Sequence, residues 1–183
     1  MIPSSVDLFA TSIIKFHFSE SEIENLLDEI NQKKNNIKKT SSFYNTTING
    51  SDEYYTDFLK PTRIHSFEML MNTVGAYYGA DQLNFNVVKY WTAIYGKNSV
   101  HEPHNHTAVD SNFSSILYLT NNGSTTFYTP NFLSRQESYV EQAEVGKLLI
   151  FHSQLFHSVF YKENSERIII SANLDIRWPK YLL

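Results

Sequence analysis

Histidines 104 and 106 sit one residue apart in Pro103-His104-Asn105-His106, and His157 and Arg167 follow far downstream. On a strand, residues two apart point to the same side, so both rings of the pair face one way. A third histidine on a later strand can close a metal site around that side. Imidazole suits first-row transition metals, and a three-ligand face leaves positions for substrate and oxygen. An arginine ten residues after His157 can neutralise an anionic co-substrate beside the metal. Together these residues point to a mononuclear metal enzyme. Without the histidines, Arg167 would read as a surface ion pair with Glu163 or Glu166.

The remaining histidines need sorting. His152 competes with His157, but it falls in the strand expected over Leu148–His152. His157 follows the break Ser153-Gln154-Leu155, where a loop can aim a ring inward, and is the expected ligand. His101 is expected to sit too early, on the approach to the site.

The elements that position these residues follow from periodicity. Leu8–Phe18 predicts an opening strand. Ser19 with Glu22 three residues on is a capping-box pattern, and Phe18 with Ile23 can form the staple. Ile23, Leu26, Leu27 and Ile30 then recur at helical spacing, giving a helix over Ser19–Asn35 with a core-facing stripe. Residues 35–60 are polar and irregular, long enough to suggest a lid or partly ordered segment. Its Tyr44, Tyr54 and Tyr55 either line a substrate groove or pack the segment down. A second helix is expected over Thr62–Gly79, opened by Pro61 and burying Ile64, Phe67, Leu70, Met71, Val74 and Tyr78.

From Leu83 the pattern changes to strand. Phe85–Tyr95 is apolar on both faces, as in a strand covered on both sides. Phe113–Thr120, Thr125–Thr129, Lys147–Phe151, Ser158–Tyr161 and Arg167–Ile176 are further candidates. Asn122-Gly123 is a hairpin signal, and Gly146 marks a turn. The fold expected is α+β: a jelly-roll β-sandwich over 83–176, with two N-terminal flanking helices and a polar loop in 1–82, forming one domain over 1–183.

Composition bounds the function. Hydrophobic residues make up 42% and aromatics 15%, enough for a packed core and leaning toward β-structure. A net charge of −4 gives no electrostatic support for long nucleic acids or anionic membranes. Lys33-Lys34 and Lys38-Lys39 read as a solvated helix end. The absence of cysteine excludes disulfides, zinc–thiolate sites, iron–sulfur clusters and thiol nucleophiles. No run approaches the ~18 apolar residues of a membrane span. Met1–Ala10 lacks a signal-peptide pattern, so a soluble, cytoplasmic protein is expected.

The chain resembles the Fe(II)/2-oxoglutarate-dependent oxygenases, specifically a small group common in phages and marine bacteria. Leu8-Phe9-Ala10-Thr11-Ser12-Ile13-Ile14 resembles that group's opening F-x-T-P-I. Trp91–Tyr95 resembles its W-x-N-x-Y strand, and Pro103-His104-Asn105-His106 its P-H-x-H element. Ser115-Ile116-Leu117-Tyr118-Leu119 sits where the group has S-G-V-Y-Y-L. Gly146 through His157 resembles G-D-L-L-L-F-P-S-W-L-x-H, and Arg167–Asn173 resembles R-x-S-I-S-F-N. The chain departs from the pattern at Ser115, at His152 and in about two extra residues between His106 and Ser115. The wider superfamily holds iron with His-x-Asp/Glu and a distal histidine; here the acidic position is His106. Either three histidines bind the metal, or Asp110 supplies the carboxylate, or metal binding is impaired. The small group's own histidine at this position favours His106.

The resemblance implies a double-stranded β-helix in which His104, His106 and His157 hold Fe(II). Arg167 would pair with the distal carboxylate of 2-oxoglutarate, helped by Ser171 and Tyr118. With O2, the reaction would release succinate and CO2 and hydroxylate an unidentified substrate: a protein side chain, a nucleotide or a small metabolite. Two other readings stay open. A cupin-type metal enzyme shares the shape but needs no 2-oxoglutarate anchor, and a non-catalytic binding module could use a degenerate oxygenase scaffold. Oligomeric state is not legible.

Overall fold

The computed structural model describes residues 4–8, 11–33, 38–39, 49–56, 63–80, 83–107, 111–128 and 138–177. Strands β1 (Ser4–Leu8) and β2 (Thr11–His17) precede helix α1 (Glu20–Lys33). Strands β3 (Lys38–Lys39) and β4 (Asn49–Thr56) precede helix α2 (His65–Ala80). Seven strands follow: β5 (Asn84–His104), β6 (Phe113–Tyr118), β7 (Ser124–Tyr128), β8 (Ser138–Gln142), β9 (Lys147–His152), β10 (His157–Phe160) and β11 (Arg167–Arg177). All pairings are antiparallel, in the order β1-β2-β9-β6-β11-β5-β10-β7-β8, with β4 joined to β5 and β3 to β4. The result, mostly antiparallel sheet with two helices, is consistent with a jelly-roll shape.

The long strand β5 makes this possible. Its first half pairs with β11 and β4, and its last residues pair with β10. One strand therefore serves two groups of strands. In β11, Ile170, Ala172, Leu174 and Ile176 point to one side and Arg167, Ile169, Ser171 and Asn173 to the other. The first side packs against α1 and α2 through Leu26, Ile30, Phe67, Met71 and Val74. The second faces an interior built from Tyr95, Ile116, Tyr118, Phe127, Leu149 and Phe151. Each such side chain buried contributes about 1.5–3 kcal/mol.

Both helix starts are held by a side-chain carboxylate, local in α1 and from the other helix in α2. Ser19 N–H donates to Glu22 Oε2 at 2.8 Å, and Glu22 N–H lies 3.4 Å from Ser19 Oγ, forming the capping box. The free N–H groups of His65 and Ser66 at the start of α2 donate to the Glu29 carboxylate, each at 2.8 Å. One helix thus caps the other.

Several sequence expectations change. The opening strand is a hairpin of two strands, β1 and β2, and β2 pairs with β9. Part of the polar segment 35–60 is strand: β4 runs along β5 as an outer neighbour, where side-chain hydrophobicity is not required. Tyr44, Pro61, Thr62 and Asp110 lie outside the described residues. Helix α2 runs through Gly79 to Ala80. β8 carried no strand signal strong enough to expect it. Asn122-Gly123 does not close a hairpin, because β6 pairs with β9 and β11 whereas β7 pairs with β8 and β10. Gly123 does take φ +76, but its turn carries the chain from one group of strands to the other. The two-sided apolarity of Phe85–Tyr95 reflects a register shift against β11, after which Val88 is the extra residue. That shift swaps parity, so Phe85, Val87 and Tyr90 all face the helix side.

On β8, registered against Thr125, Glu141, 5% exposed, accepts hydrogen bonds from Lys147 (2.8 Å), Lys15 (2.6 Å) and Tyr139 (2.6 Å). The pairing is complete enough to keep a buried carboxylate charged.

Gly146 supplies a stability test. Its φ is +83, and a Cβ there would lie 2.4 Å from the Phe18 carbonyl oxygen. That backbone is fixed by Phe18 N–H donating to the Gly146 carbonyl at 2.9 Å. Gly146→Ala should lower stability by at least about 2 kcal/mol in urea unfolding. Gly79→Ala, in a helix with open space around it, should raise it by about 0.5–1 kcal/mol.

Candidate metal centre

β5 and β10 lie side by side with His104 and His157 as directly opposed Cα partners. Their ring centroids are 4.3 Å apart. His106 lies just past the end of β5, and its backbone N–H donates to the Ser153 carbonyl at 2.8 Å, in the turn between β9 and β10. The His106 ring lies nearly parallel to that of His157, 5.3 Å away. One ligand nitrogen from each of His104, His106 and His157 falls within 4.8 Å of the others. No other group of this kind occurs among the described residues.

Two backbone carbonyls set the tautomers of His104 and His157. His104 Nδ1–H donates to the Glu102 carbonyl at 2.8 Å, and His157 Nδ1–H to the Leu155 carbonyl at 3.1 Å. Only an acceptor is available at each, so Nδ1 carries the proton and Nε2 keeps its lone pair. Burial pushes all three imidazoles toward the neutral form. His106 falls to about 3 through burial, with repulsion from His104 added. His157 is lowered well below its ordinary value by burial and then by His104 and His106, and His104 is lowered by burial. Neutral imidazoles sharing a small volume are the protonation state a cation needs.

Arg167 opens β11 opposite Tyr95 of β5 and is 0% exposed. Its Nη2 donates to Thr125 Oγ1 at 2.9 Å. Its guanidinium lies 5.0 Å from the Tyr95 ring centroid and 5.5 Å from that of Tyr118. Nε and Nη1 have no hydrogen-bond partner among the described residues. A fully buried guanidinium with two idle donors is costly unless an anion completes it. The Tyr118 hydroxyl donates to Thr125 Oγ1 at 2.8 Å, and burial raises its pKa to about 12, with Arg167 opposing the rise. It is a neutral donor at any ordinary pH. Ser171 shares the inward side of β11 with Arg167 and is registered against Trp91, whose ring lies 5.6 Å from that of His106. Arg167 and Ser171 thus span the wall from the deep guanidinium toward the histidines.

His152 ends β9 with Nδ1 accepting the Gln154 N–H at 3.2 Å and its ring against Phe113, away from the histidine group. His101 is a correction. It stacks face to face on His104, with centroids 3.8 Å apart and planes 10° apart. Strict alternation puts residues 101 and 104 on opposite faces, but three steps of β5 span two of β10 here, between the His157–His104 and Val159–His101 pairs. The extra residue, within Glu102-Pro103, turns both rings inward. Thr125 and Tyr95 were also missed. Thr125 turns inward with Phe127 on β7, but its sequence neighbours Ser124 and Thr126 are as polar as it is, so nothing local marked it. Nothing local marks Tyr95 either, since it meets Arg167 only across strands.

No protein-family model matches the chain, and no curated protein sequence matches it. Solved structures do. A Pseudomonas putida prolyl-4-hydroxylase superposes with a TM-score of 0.64 at 16% identity, covering 91% of this chain and 92% of that one. A Trichoplax adhaerens prolyl hydroxylase, bound to a hypoxia-inducible-factor peptide fragment, gives 0.69 at 13% identity, covering 90% and 83%. HygX from Streptomyces hygroscopicus, with nickel and 2-oxoglutarate bound, gives 0.64 at 13% identity, covering 90% and 83%. The chain has the fold shared by members of the 2OG-Fe(II) oxygenase family.

Proposed function

We propose that this chain is an Fe(II)- and 2-oxoglutarate-dependent dioxygenase, a single double-stranded β-helix domain with two N-terminal flanking helices. The observation that carries the reading is Arg167: a wholly buried cation with two donors unpartnered among the described residues, in the same interior as three converging histidines. A cupin-type enzyme has no use for such an anchor. His104 and His157 would hold the metal through Nε2, with His106 as the third ligand. Arg167 would take the distal carboxylate of 2-oxoglutarate with Ser171 as a hydroxyl donor, and Tyr118 would join them only by turning its one proton away from Thr125 Oγ1. Thr125 Oγ1 already accepts from both Arg167 and Tyr118, so its own proton is free to donate. Bound there, Fe(II), O2 and 2-oxoglutarate supply oxidative decarboxylation to succinate and CO2, coupled to hydroxylation of a C–H bond.

The residues of the chain keep this chemistry contained. Phe127 and Phe151 stand against His157, with ring centroids 6.0 and 5.1 Å away, and exclude water behind it. The Glu102 and Leu155 carbonyls hold two imidazoles in one tautomer. Peptide and antibiotic ligands in the similar solved structures fit a substrate drawn from protein side chains, nucleotides or small metabolites. No described helix is long and apolar enough to cross a membrane; a cytoplasmic enzyme is the reading we adopt.

Anaerobic titration with Fe(II) and 2-oxoglutarate, followed by the visible charge-transfer band of the chelate, tests the site. Arg167→Ala should weaken 2-oxoglutarate binding by about 3–5 kcal/mol, roughly two to three and a half powers of ten. Its affinity for Fe(II) alone should stay near wild type. Unchanged 2-oxoglutarate affinity would remove the feature that separates this reading from a cupin. His157→Ala should abolish iron binding, whereas Asp110→Ala should leave most of it. Loss of metal in the Asp110 variant, with retention in His106→Ala, would hand the ligand role to the carboxylate.

The depressed histidines also fix a pH dependence. Their folded pKa values, about 3 for His101 and His106, lie below the unfolded 6.5. Above 6.5 neither state is protonated and the term vanishes. Below it the unfolded chain takes up protons that the folded chain refuses, so stability falls until about pH 3. Metal-free protein should therefore melt at steadily lower temperature as pH drops from about 7 to 5, and His106→Phe should flatten that slope. A slope unchanged in the variant would show that His106 is not held neutral by the fold.

A further inference from the structure

His101 belongs to no ligand group, yet its contacts are more specific than those of a residue filling space. One face covers His104 at 3.8 Å. Its Nδ1 shares a 3.2 Å hydrogen bond with the Tyr95 hydroxyl. Tyr95, 2% exposed, in turn lies beneath the Arg167 guanidinium and is its Cα partner across β5 and β11. The strand irregularity at Glu102-Pro103 is what makes this contact possible, because a regular β5 would send His101 outward. A continuous set of contacts therefore runs from Arg167 through Tyr95 and His101 to His104.

We infer that His101 is a positioning residue: aimed by the Tyr95 hydroxyl, it holds the His104 ring in its metal-binding orientation and links that ring to the Arg167 anchor. The inference rests on the metal and co-substrate reading proposed above. The Glu102 carbonyl fixes His104 at one edge only, which sets the tautomer but leaves the ring free to swing about that bond. A second flat ring parallel to it removes the swing. Tyr95 prevents His101 from turning away, and Arg167 prevents Tyr95 from tilting. Outer partners of metal-binding histidines typically change metal affinity by about 10–100-fold when removed, and the same range is expected here.

The test is a double-mutant cycle on the metal-free protein, titrated with cobalt(II) and read by its visible spectrum. His101→Ala should weaken cobalt binding by roughly 10–100-fold and shift the visible bands as the His104 ring reorients. Tyr95→Phe keeps the ring under Arg167 but loses the hydroxyl; it should move affinity and spectrum in the same direction, by less. Because Tyr95 acts through His101, Tyr95→Phe should add nothing in the His101→Ala background. His101→Phe, which keeps a flat ring over His104 but offers Tyr95 no nitrogen, gives the same cycle if the alanine variant does not fold. Additive effects, or a Tyr95→Phe protein with wild-type affinity and spectrum, overturn the inference. If His157→Ala abolishes cobalt binding while His101→Ala leaves it intact, only this inference falls. If His157→Ala binds cobalt like wild type, the metal reading falls with it.

Discussion

The register of β10 against β5 is the constraint on which the rest of the site depends. It sets His157 opposite His104, and a slip of one residue would turn either ring to the other face. The same pairing requires β5 to extend beyond its partner β11 into a second group of strands. That extension carries His101 and His104 and leads directly into His106. The turn before β10 then anchors His106 through its backbone. Three imidazoles from two distant parts of the sequence meet because one strand is shared.

Arg167 shows the opposite balance. A buried guanidinium with idle donors opposes folding, and its surroundings recover only part of the loss. Thr125 gives one neutral hydrogen bond, and the faces of Tyr95 and Tyr118 give cation–π attraction. Contrast Glu141, whose charge is met by two lysines and a tyrosine. One interior thus contains one completed ionic cluster and one incomplete one. In the incomplete one, Nε and Nη1 of Arg167 have no partner among the described residues.

What the sequence disclosed and what it concealed divide along one line. Arg167 and Ser171 could be paired because they lie four apart on one strand, where alternation has a fixed period, whereas His106 lies past the end of β5 and is placed by its backbone bond to Ser153. His101 could not be placed, because the extra residue at Glu102-Pro103 breaks the period. Val88 breaks it again farther back in β5. Both irregularities arise from pairing with other strands, which local sequence does not encode. Asn122-Gly123 shows the same limit: the dipeptide sets the backbone angle of Gly123, but partners elsewhere determine which strands its turn connects. The polar β4 escaped notice because a strand beside a well-buried neighbour needs main-chain hydrogen bonds more than apolar side chains. The two helical stretches were legible to within about three residues at their ends, since Ser19, Glu22 and the apolar stripes are local signals.

The sheet also separates two jobs. On one face, Leu26, Phe67, Met71, Val74, Ile170 and Leu174 form a sealed apolar contact with the helices. On the other lie the histidines, Arg167 and the aromatic lining. Adjacent residues of β11 serve opposite faces, so Ile168 and Ile170 answer to the helices while Ile169 and Ser171 answer to the interior. An inward substitution therefore meets a different set of neighbours from an outward one. This gives the scaffold evolvability: a lineage can explore new interior chemistry by changing every second residue, while the helix-backed layer keeps the chain folded during the search.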